Sequence, residues 1–294
     1  NNNLNTNLQK SDLKEFINSI SSKNLPNLVF VDNTSSEDVV AEYSLLFNNN
    51  ISIVTCNKKG NSSSYEQYSK FKRLAKKNNV SFLYETNVGA GLPIIKTLND
   101  LWISGDEILK IEAILSGTIS YIFNNYVGDN TFAEVVRTAQ ELGYTEPDPR
   151  DDLNGMDFSR KMLILGREIG LPLEMSNVNI KDFLPEACLK AESIPAFYEE
   201  LEKHEPYFSS FKNEAENSGR KLRLIGVLED GKINIEVQIV DANHPFFGLS
   251  GSDNIISFTT SRYKNTPLVV KGPGAGAEVT AAGVFADLVR VTAQ

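Results

Sequence analysis

The stretch over residues 143–161, GYTEPDPRDDLNGMDFSRK, carries the densest set of side chains that could do chemistry. It contains five carboxylates and three cations, which are Glu146, Asp148, Asp151, Asp152 and Asp157 against Arg150, Arg160 and Lys161. Pro147 and Pro149 fix their own φ angles and disfavour the α conformation in the residue before each, so Glu146 and Asp148 are expected to project from a stiff loop. A rigid acidic loop could bind the ammonium group of an amino-acid substrate.

A helix is predicted to follow this loop. It should begin near Asn154, a good cap residue, and end at Gly170 and Pro172. Its apolar side chains recur at helical spacing, at Phe158, Met162, Leu165 and Ile169. Asp157 and Lys161 are then neighbours on one helix face, and a lysine held by an aspartate could transfer a proton. A solvated loop before a surface helix with an ordinary ion pair explains the same residues.

Length and composition set broad limits on the protein. A chain of 294 residues can form one large or two ordinary domains, and 41% hydrophobic with 23% charged residues is typical of soluble globular proteins. The net charge of -9 argues against a nucleic-acid surface but leaves room for a local anion site. Cys56 and Cys188 form no disulfide or zinc pattern, so the cytoplasm is the expected compartment. The sequence shows neither a membrane span nor a secretory signal.

Strand and helix patterns alternate over the first part of the chain. Strands are predicted at residues 28–31, 51–54 and 80–84, between helices near 13–20, 39–47 and 68–77. This alternation predicts a parallel sheet with right-handed crossovers, in which ligands bind at the carboxyl ends of the strands. Thr34 and Lys58 follow the first two strands, although a solvated turn also explains Lys58.

The architecture is predicted to change after Pro93. The order of elements is then a helix over 94–104, a strand over 108–115, helices over 132–142 and within 185–220, and antiparallel strands over 221–227, 233–240 and 255–261. Three hydroxyl residues, Ser116, Thr118 and Ser120, crowd the turn into a helix, where such residues usually act as caps. His204 is expected at the surface, and His244 is not expected to be catalytic.

Two glycine-rich segments invite a nucleotide-binding interpretation. ETNVGAGLP, at residues 85–93, has no GxGxxG, and its exposed carbonyls beside one carboxylate suit a hard cation better than a phosphate. VVKGPGAGAEVTAAG looks like the opening of a dinucleotide fold, but only 18 residues follow Gly276, too few for a βαβ unit. A helix that packs back on the first sheet, with Gly276 near an anionic cofactor, is the better interpretation.

The motif YTEPDPRDDLNGMD, with SGTISYIF and TNVGAGLP before it and GAGAEVTAAGVFADL after it, resembles homoserine dehydrogenase. The likeness is strongest to the dehydrogenase half of the bifunctional aspartokinase/homoserine dehydrogenases. It extends from about Phe30 to the C-terminus with the four motifs in family order. The resemblance implies reversible interconversion of L-homoserine and L-aspartate 4-semialdehyde with NAD or NADP, in threonine, methionine and isoleucine biosynthesis.

The resemblance also implies roles for matching residues. Glu146 and Asp152 would bind the substrate ammonium, Lys161 would give a proton to the carbonyl oxygen, and Asp157 would orient Lys161. The remaining implied residues are Thr118, Tyr144 and Lys58 for substrate, Thr34, Lys58 and Gly276 for cofactor, and Glu85 with the main-chain oxygens of Val88, Ala90 and Leu92 for a sodium ion. Nearby carboxylates are expected to keep Lys161 protonated at neutral pH, so homoserine oxidation, which needs the free amine, should rise with pH.

The implied fold is α/β. A Rossmann-like nucleotide-binding domain would cover residues 1–93, completed by a C-terminal helix over 275–294, and an α+β substrate and dimerisation domain with a mixed or antiparallel sheet would cover 94–274. In the family, the first strand and its glycine loop lie upstream of this sequence, and the asparagine-rich first residues predict a disordered leader. A homodimer is expected, with a fused aspartokinase as a further expectation. A non-catalytic fragment that binds substrate and dimerises is the alternative.

Overall fold

The computed structural model describes residues 12–181 and 183–292. The chain divides into two compact units, Asn1–Tyr84 with Ala286–Gln294, and Glu85–Phe285. The leader predicted for the first residues lies outside the described ranges. Within those ranges, no helix is long and apolar enough to cross a membrane.

The first unit contains the predicted parallel sheet. Its three strands, in spatial order, are β1 (Val29–Asp32), β2 (Ser52–Thr55) and β3 (Phe82–Leu83). Asp32 of β1 pairs with Thr55 of β2, so the carboxyl ends of these two strands lie side by side. The third strand is shorter than predicted because only Phe82 and Leu83 pair with β2.

Between residues 12 and 84, the helices beside this sheet are α1 (Leu13–Ser21), α2 (Glu37–Ala41), α3 (Tyr43–Asn48), α4 (Lys58–Asn61) and α5 (Tyr65–Lys77). The prediction of a single helix near residues 39–47 is wrong in one respect, because the chain forms two helices divided at Glu42. The Glu42 N–H ends α2 by donating to the carbonyls of Val39 and Val40. Aromatic rings at Tyr43, Phe47, Phe71 and Phe82 pack together and fix α3 and α5 against the sheet.

The second unit is built on a six-stranded sheet with spatial order β5-β7-β6-β4-β8-β9. The strands are β4 (Ile108–Ile114), β5 (Val178–Ile180), β6 (Lys221–Glu229), β7 (Lys232–Val240), β8 (Asp253–Thr260) and β9 (Leu268–Pro273). All neighbouring pairs are antiparallel except β5 with β7, which is parallel. The predicted mixed or antiparallel sheet is therefore confirmed.

The helices of the second unit are α6 (Ile95–Ile103), α7 (Gly117–Asn125), α8 (Phe132–Glu141), α9 (Arg150–Leu153), α10 (Met156–Glu168), α11 (Glu186–Leu189), α12 (Ile194–Lys203), α13 (Glu205–Asn217) and α14 (Ala277–Thr292), the last contributing residues to both units. Helix α10 packs on β6, where Phe158 and Met162 fill the space above Gly226 that a larger residue would occupy. Each such buried side chain stabilises the fold by about 1.5–3 kcal/mol.

The start of α10 differs from the prediction. The cap position is Gly155, with φ +72°, rather than Asn154. A left-handed backbone conformation suits glycine because it lacks a Cβ atom. Asn154 supports the same turn from one residue earlier, since its Oδ1 accepts a hydrogen bond of 2.8 Å from Met156 N. The loop predicted from Pro147 and Pro149 also contains the short helix α9, directly after Pro149.

Candidate active site

Lys161 is a buried charged residue in the middle of α10. Its residue exposure is 8%, and its Nζ lies 2.8 Å from Asp157 Oδ2. The same Nζ donates a hydrogen bond of 2.6 Å to the carbonyl oxygen of Leu115, which directly follows β4. The ion pair predicted from the sequence spacing is thus confirmed. A carboxylate on its own helix and a carbonyl at the end of a strand hold this ammonium group at a fixed position.

A second cluster joins α7, the acidic loop and α9. The buried Thr118 hydroxyl oxygen lies 2.6 Å from the carbonyl oxygen of Tyr144 and 3.1 Å from Asp152 Oδ1. The other oxygen of Asp152 accepts a hydrogen bond of 2.8 Å from Glu146 N. Three predicted substrate residues, Thr118, Asp152 and Glu146, therefore meet in one place, with the Glu146 side chain exposed to solvent.

Burial raises the pKa of Asp152 above its usual value. The hydrogen bonds from Glu146 N and Thr118 act in the opposite direction, and the negative charges of Glu146 and Asp157 add to the increase. A cation bound beside Asp152 would therefore stabilise the charged form of this half-buried carboxylate.

Asp148 behaves differently from the prediction. It does not project from the loop, because both its oxygens accept hydrogen bonds from the Arg150 guanidinium, at 2.9 and 3.1 Å from Nε. This contact lowers the pKa of Asp148. Arg150 also donates to the carbonyl oxygen of Ala191, so the pair anchors the loop to the segment before α12.

Neighbouring elements hold the acidic loop in place. Ser116 caps α7 by accepting a hydrogen bond from Ile119 N at 3.2 Å, as expected for a hydroxyl at a helix start. Gln140 of α8 donates to the carbonyl oxygen of Pro147 at 2.9 Å. Tyr198 of α12 in turn donates to Gln140 Oε1 at 2.7 Å. These contacts connect two helices to the middle of the loop.

Tyr144 begins the loop and is 43% exposed. Its ring stacks on that of Tyr121, with centroids 4.5 Å apart and planes at 24°. The carbonyl of Tyr144 is fixed by Thr118, whereas its ring stays partly open to solvent. The predicted substrate contact of Tyr144 stays a prediction.

Thr34 and Lys58 lie at the carboxyl ends of β1 and β2, as predicted. Thr34 N and Oγ1 donate to Asp32 Oδ1 at 2.8 and 2.7 Å. Lys58 is the first residue of α4, which is capped by Asn57 through a bond of 3.1 Å from Lys59 N. Both residues thus have defined backbone positions at a strand edge where ligands commonly bind.

The glycine-rich turn before α14 has features that fit an anionic cofactor. A Cβ atom on Gly274 would lie 1.9 Å from Asn254 Nδ2, so only glycine fits there. Asn254 is fully buried, and neither polar atom of its side chain has a hydrogen-bond partner. Gly276, with φ +116°, then leads into a helix of 16 residues whose first main-chain amides favour negative charge.

The predicted sodium residues form a compact turn in which the Glu85 carboxylate and the Leu92 carbonyl already accept hydrogen bonds. The Glu85 carboxylate accepts hydrogen bonds from Ile95 N at 2.7 Å and Lys96 N at 3.0 Å, so it caps α6. The Leu92 carbonyl accepts from Ile94 N at 2.9 Å, and Val88 and Ala90 are buried. Across the described ranges, no group of three or more His, Cys, Asp or Glu residues could hold a metal ion. The sodium site stays a prediction.

Comparison with known proteins agrees with this geometry. A family model described as homoserine dehydrogenase matches residues 93–289. The chain belongs to the homoserine dehydrogenase family. A second model, described as the homoserine dehydrogenase NAD binding domain, matches residues 1–85. The resemblance found in the sequence motifs is thereby confirmed, and so is the α/β fold class.

Curated homoserine dehydrogenases share much of this sequence. The homoserine dehydrogenase of Schizosaccharomyces pombe is 44% identical over 274 residues, which cover 90% of this chain and 73% of that protein. A bifunctional aspartokinase/homoserine dehydrogenase of Arabidopsis thaliana is 45% identical over 285 residues, covering 96% of this chain. The chain spans only 31% of the length of that bifunctional relative.

Solved homoserine dehydrogenases share its fold. A hyperthermophilic archaeal homoserine dehydrogenase in complex with NADPH superimposes with a TM-score of 0.68 at 25% identity. The match covers 90% of this chain and 71% of that one.

Some site residues give little or no signal in the sequence. The Leu115 carbonyl that binds Lys161 is a main-chain group, which every residue type carries. Gln140 binds a main-chain carbonyl of the loop, and Tyr198 supports Gln140 from 58 residues away, so neither contact follows from a sequence pattern. Asp32, at the end of a predicted buried strand, could have been noticed because a carboxylate there needs hydrogen-bond donors.

Proposed function

We propose that this chain interconverts L-homoserine and L-aspartate 4-semialdehyde with NAD or NADP. The observation that carries the proposal is the position of Lys161. Its buried ammonium is fixed by Asp157 and by the Leu115 carbonyl, at 2.8 and 2.6 Å, in a member of the homoserine dehydrogenase family. A buried lysine with this support suits proton transfer to or from a reacting oxygen.

The acidic cluster would bind the amino group of the substrate. Asp152 and Glu146 supply two carboxylates, and Thr118 fixes Asp152 through its hydroxyl group. An ammonium ion placed between these carboxylates would offset the unfavourable proximity of their charges. Tyr144 and Lys58 are proposed to complete the substrate contacts.

Lys161 would handle the proton of the reaction. A bound nicotinamide cofactor supplies or accepts the hydride. In reduction, Lys161 Nζ gives a proton to the carbonyl oxygen of the semialdehyde, where negative charge develops, and its own positive charge stabilises that oxygen. In oxidation, the neutral Lys161 amine takes the proton of the homoserine hydroxyl. Asp157 orients Lys161 in both the oxidation and the reduction reaction.

Three residues are proposed as cofactor contacts. Thr34 and Lys58 at the strand ends of the first unit, with Gly276 before α14, would contact NAD or NADP. The NADPH complex of the archaeal relative supports a nicotinamide dinucleotide as the ligand class. Residues 1–93 with 275–294 would form the nucleotide-binding domain, and residues 94–274 the substrate domain.

Further properties follow from family membership. We propose a homodimer, and a sodium ion held by Glu85 with the main-chain oxygens of Val88, Ala90 and Leu92. Action in the cytoplasm, in threonine and methionine biosynthesis, is part of the same proposal. A fused aspartokinase domain is supported by the bifunctional relatives.

The direct test is homoserine-dependent reduction of NAD and of NADP by the 294-residue chain at alkaline pH. Turnover with either cofactor is expected, and the faster cofactor identifies the preference. Calorimetry with homoserine and each dinucleotide separately distinguishes the alternative. If the chain binds homoserine but shows neither turnover nor dinucleotide binding, it is the non-catalytic fragment. If it does not bind homoserine, the substrate assignment is contradicted.

A further inference from the structure

Asp32 is a buried carboxylate at the end of β1, with a residue exposure of 1%. Four uncharged donors reach it. Thr34 N and Thr34 Oγ1 donate to Oδ1 at 2.8 and 2.7 Å. The Tyr43 hydroxyl and Asn57 Nδ2 donate to Oδ2 at 2.6 and 3.1 Å. The desolvation cost of this carboxylate is therefore offset by hydrogen bonds to both of its oxygens.

Three of these donors, all except the Tyr43 hydroxyl, belong to two different strand-end loops. Thr34 lies in the loop after β1, and Asn57 lies in the loop after β2, directly before Lys58. The Asn57 main-chain N–H also donates to Thr55 Oγ1 at 2.9 Å, and Thr55 Oγ1 donates to the Asp32 carbonyl at 3.1 Å. A single carboxylate thus joins the backbone around Thr34 to the backbone around Lys58.

The Asn57 side chain is fixed in one orientation. Its Nδ2 donates to Ser36 O at 3.0 Å as well as to Asp32, and its Oδ1 accepts from Lys59 N at 3.1 Å. Rotating the amide by 180° would remove all three bonds. The start of α4, where Lys58 lies, therefore depends on Asp32 offering an acceptor to Asn57.

Tyr43 completes the environment of Asp32 from α3. Its ring is fully buried among Phe47, Phe71 and Phe82. Burial and the hydrogen bond to Asp32 raise the pKa of Tyr43 far above its usual value, so its hydroxyl remains a donor at every pH near neutrality. The loop after β1, the loop after β2 and helix α3 therefore each supply a hydrogen-bond donor to the Asp32 carboxylate.

We propose that Asp32 is a positioning residue for dinucleotide binding, which holds Thr34 and Lys58 in the mutual arrangement that the cofactor requires. The inference rests on the proposed function, because it takes Thr34 and Lys58 as cofactor contacts. It adds a residue that does not touch the cofactor and acts through both strand-end loops at once.

The variant Asp32→Asn keeps the size of the side chain but replaces one acceptor oxygen with a donor NH₂ group. Thr34 N is a fixed main-chain donor, so the remaining oxygen should face Thr34 and the NH₂ group should face Tyr43 and Asn57. The Tyr43 hydroxyl can turn to accept a hydrogen bond, whereas Asn57 can do so only by giving up its bonds to Ser36 and Lys59. The start of α4, which carries Lys58, should therefore be held less firmly.

A matched control is Asp106→Asn in the second unit. Asp106 is also a buried aspartate, at 3% exposure, and accepts hydrogen bonds from Thr260 Oγ1 at 2.8 Å and Arg262 N at 3.2 Å. It reports the general cost of neutralising a buried, hydrogen-bonded carboxylate. Asn57→Ala, which removes the contact with the second loop and leaves the Asp32 side chain in place, carries the test if Asp32→Asn does not fold.

The experiment measures the dissociation constants of NAD and NADP by calorimetry, kcat at saturating cofactor, and amide hydrogen exchange of the chain without cofactor. For Asp32→Asn we expect dinucleotide affinity to fall at least tenfold while kcat stays within threefold. Exchange should increase in the loop over residues 33–36 and at the start of α4, over residues 57–60. Asp106→Asn should leave dinucleotide affinity within twofold of the wild type.

The possible outcomes separate the inference from the function on which it rests. If the wild type binds dinucleotide and Asp32→Asn binds it equally well, Asp32 has only a structural role and the inference is overturned. The same conclusion follows if Asp106→Asn weakens binding as much as Asp32→Asn, or if a folded Asn57→Ala keeps full affinity. If the wild type binds neither dinucleotide, the proposed function fails and the inference fails with it.

Discussion

Two ionisable side chains of the candidate active site differ in their surroundings. Lys161 is buried and bonded to an aspartate and a main-chain carbonyl. Asp152 is half-buried, and burial raises its pKa despite hydrogen bonds from Glu146 N and Thr118. A carboxylate that is disfavoured in its charged form gains from a bound cation, so Asp152 is suited to recognise an ammonium group.

Replacing Asp152 with asparagine should separate stability from substrate binding. The asparagine oxygen can accept from Glu146 N, and its NH₂ group can donate to Thr118 Oγ1, which keeps its bond to the Tyr144 carbonyl. Losing the charge should raise the KM for homoserine roughly ten- to hundredfold, since a hydrogen bond to a charged group contributes about 1.5–3 kcal/mol. Steady-state kinetics at saturating cofactor measures this change.

The pH dependence of stability gives the sign of the Asp152 effect. Because its pKa is raised in the folded state, the contribution of Asp152 to stability is largest below its unfolded pKa and declines as pH rises through the folded pKa. Relative to wild type, Asp152→Asn should therefore be more stable at pH 7 than at pH 4. Asp148→Asn should show the opposite trend, because Arg150 lowers the pKa of Asp148. Parallel trends in melting temperature would contradict this assignment.

Sequence reasoning at the residue scale succeeded where the relevant partner is near in sequence. The Asp157–Lys161 pair follows from helical spacing alone. The contact between Thr118 and Asp152 joins residues 34 apart, so periodicity cannot predict it, and the family resemblance supplied both residues. The two prolines predict that Asp148 projects, but Arg150, two residues away, binds its carboxylate and holds it against the loop.

Elements position these residues through their ends. Thr118 lies in the first turn of α7, Lys58 opens α4, and Gly276 precedes α14. Most helices and strands were predictable from apolar periodicity, and the Ser36 and Ser116 caps form as hydroxyl residues at helix starts usually do. The start of α10 was not predictable in this way. Asn154 and Gly155 are both suitable cap residues, and only the backbone conformation shows that Gly155 occupies the cap position.

The glycine turn before α14 allows a prediction at the element scale. Gly274→Ala places a Cβ atom 1.9 Å from Asn254 Nδ2, with the Asn254 side chain fully buried, so it should destabilise the fold by about 1–3 kcal/mol. Gly248→Ala is the matched control, since nothing lies within 4 Å of its Cβ position. Its effect should stay within about 0.5 kcal/mol. Urea unfolding measures both, and equal stability of the two variants would contradict the close packing at Gly274.

The whole molecule consists of two compact units with different sheets. The alternation of strands and helices predicted the parallel sheet of the first unit, and the later strand runs predicted the antiparallel pairs of the second. The order β5-β7-β6-β4-β8-β9 was beyond sequence reasoning, because it pairs β4 with strands that follow more than a hundred residues later. The short strand β5, with three residues, carried too little pattern to be found.

The central claim is that Lys161 is the acid and base of homoserine oxidation and reduction. The measurement that tests it most directly is kcat for homoserine oxidation between pH 7 and 10, for the wild type, Lys161→Ala and Lys190→Ala. Lys190 forms an i,i+4 pair with Glu186 on the surface, where both side chains are 74% exposed, so it matches the Lys161 pair without its burial.

The wild type and Lys190→Ala should show a rate that rises with pH, since oxidation needs the neutral amine and the ordinary pKa of lysine is about 10.4. Lys161→Ala should lose turnover by at least about 100-fold, the lower end of general acid–base contributions, while homoserine still binds in calorimetry. A flat profile in the wild type, or a Lys161→Ala variant that retains most of its activity, would contradict the account.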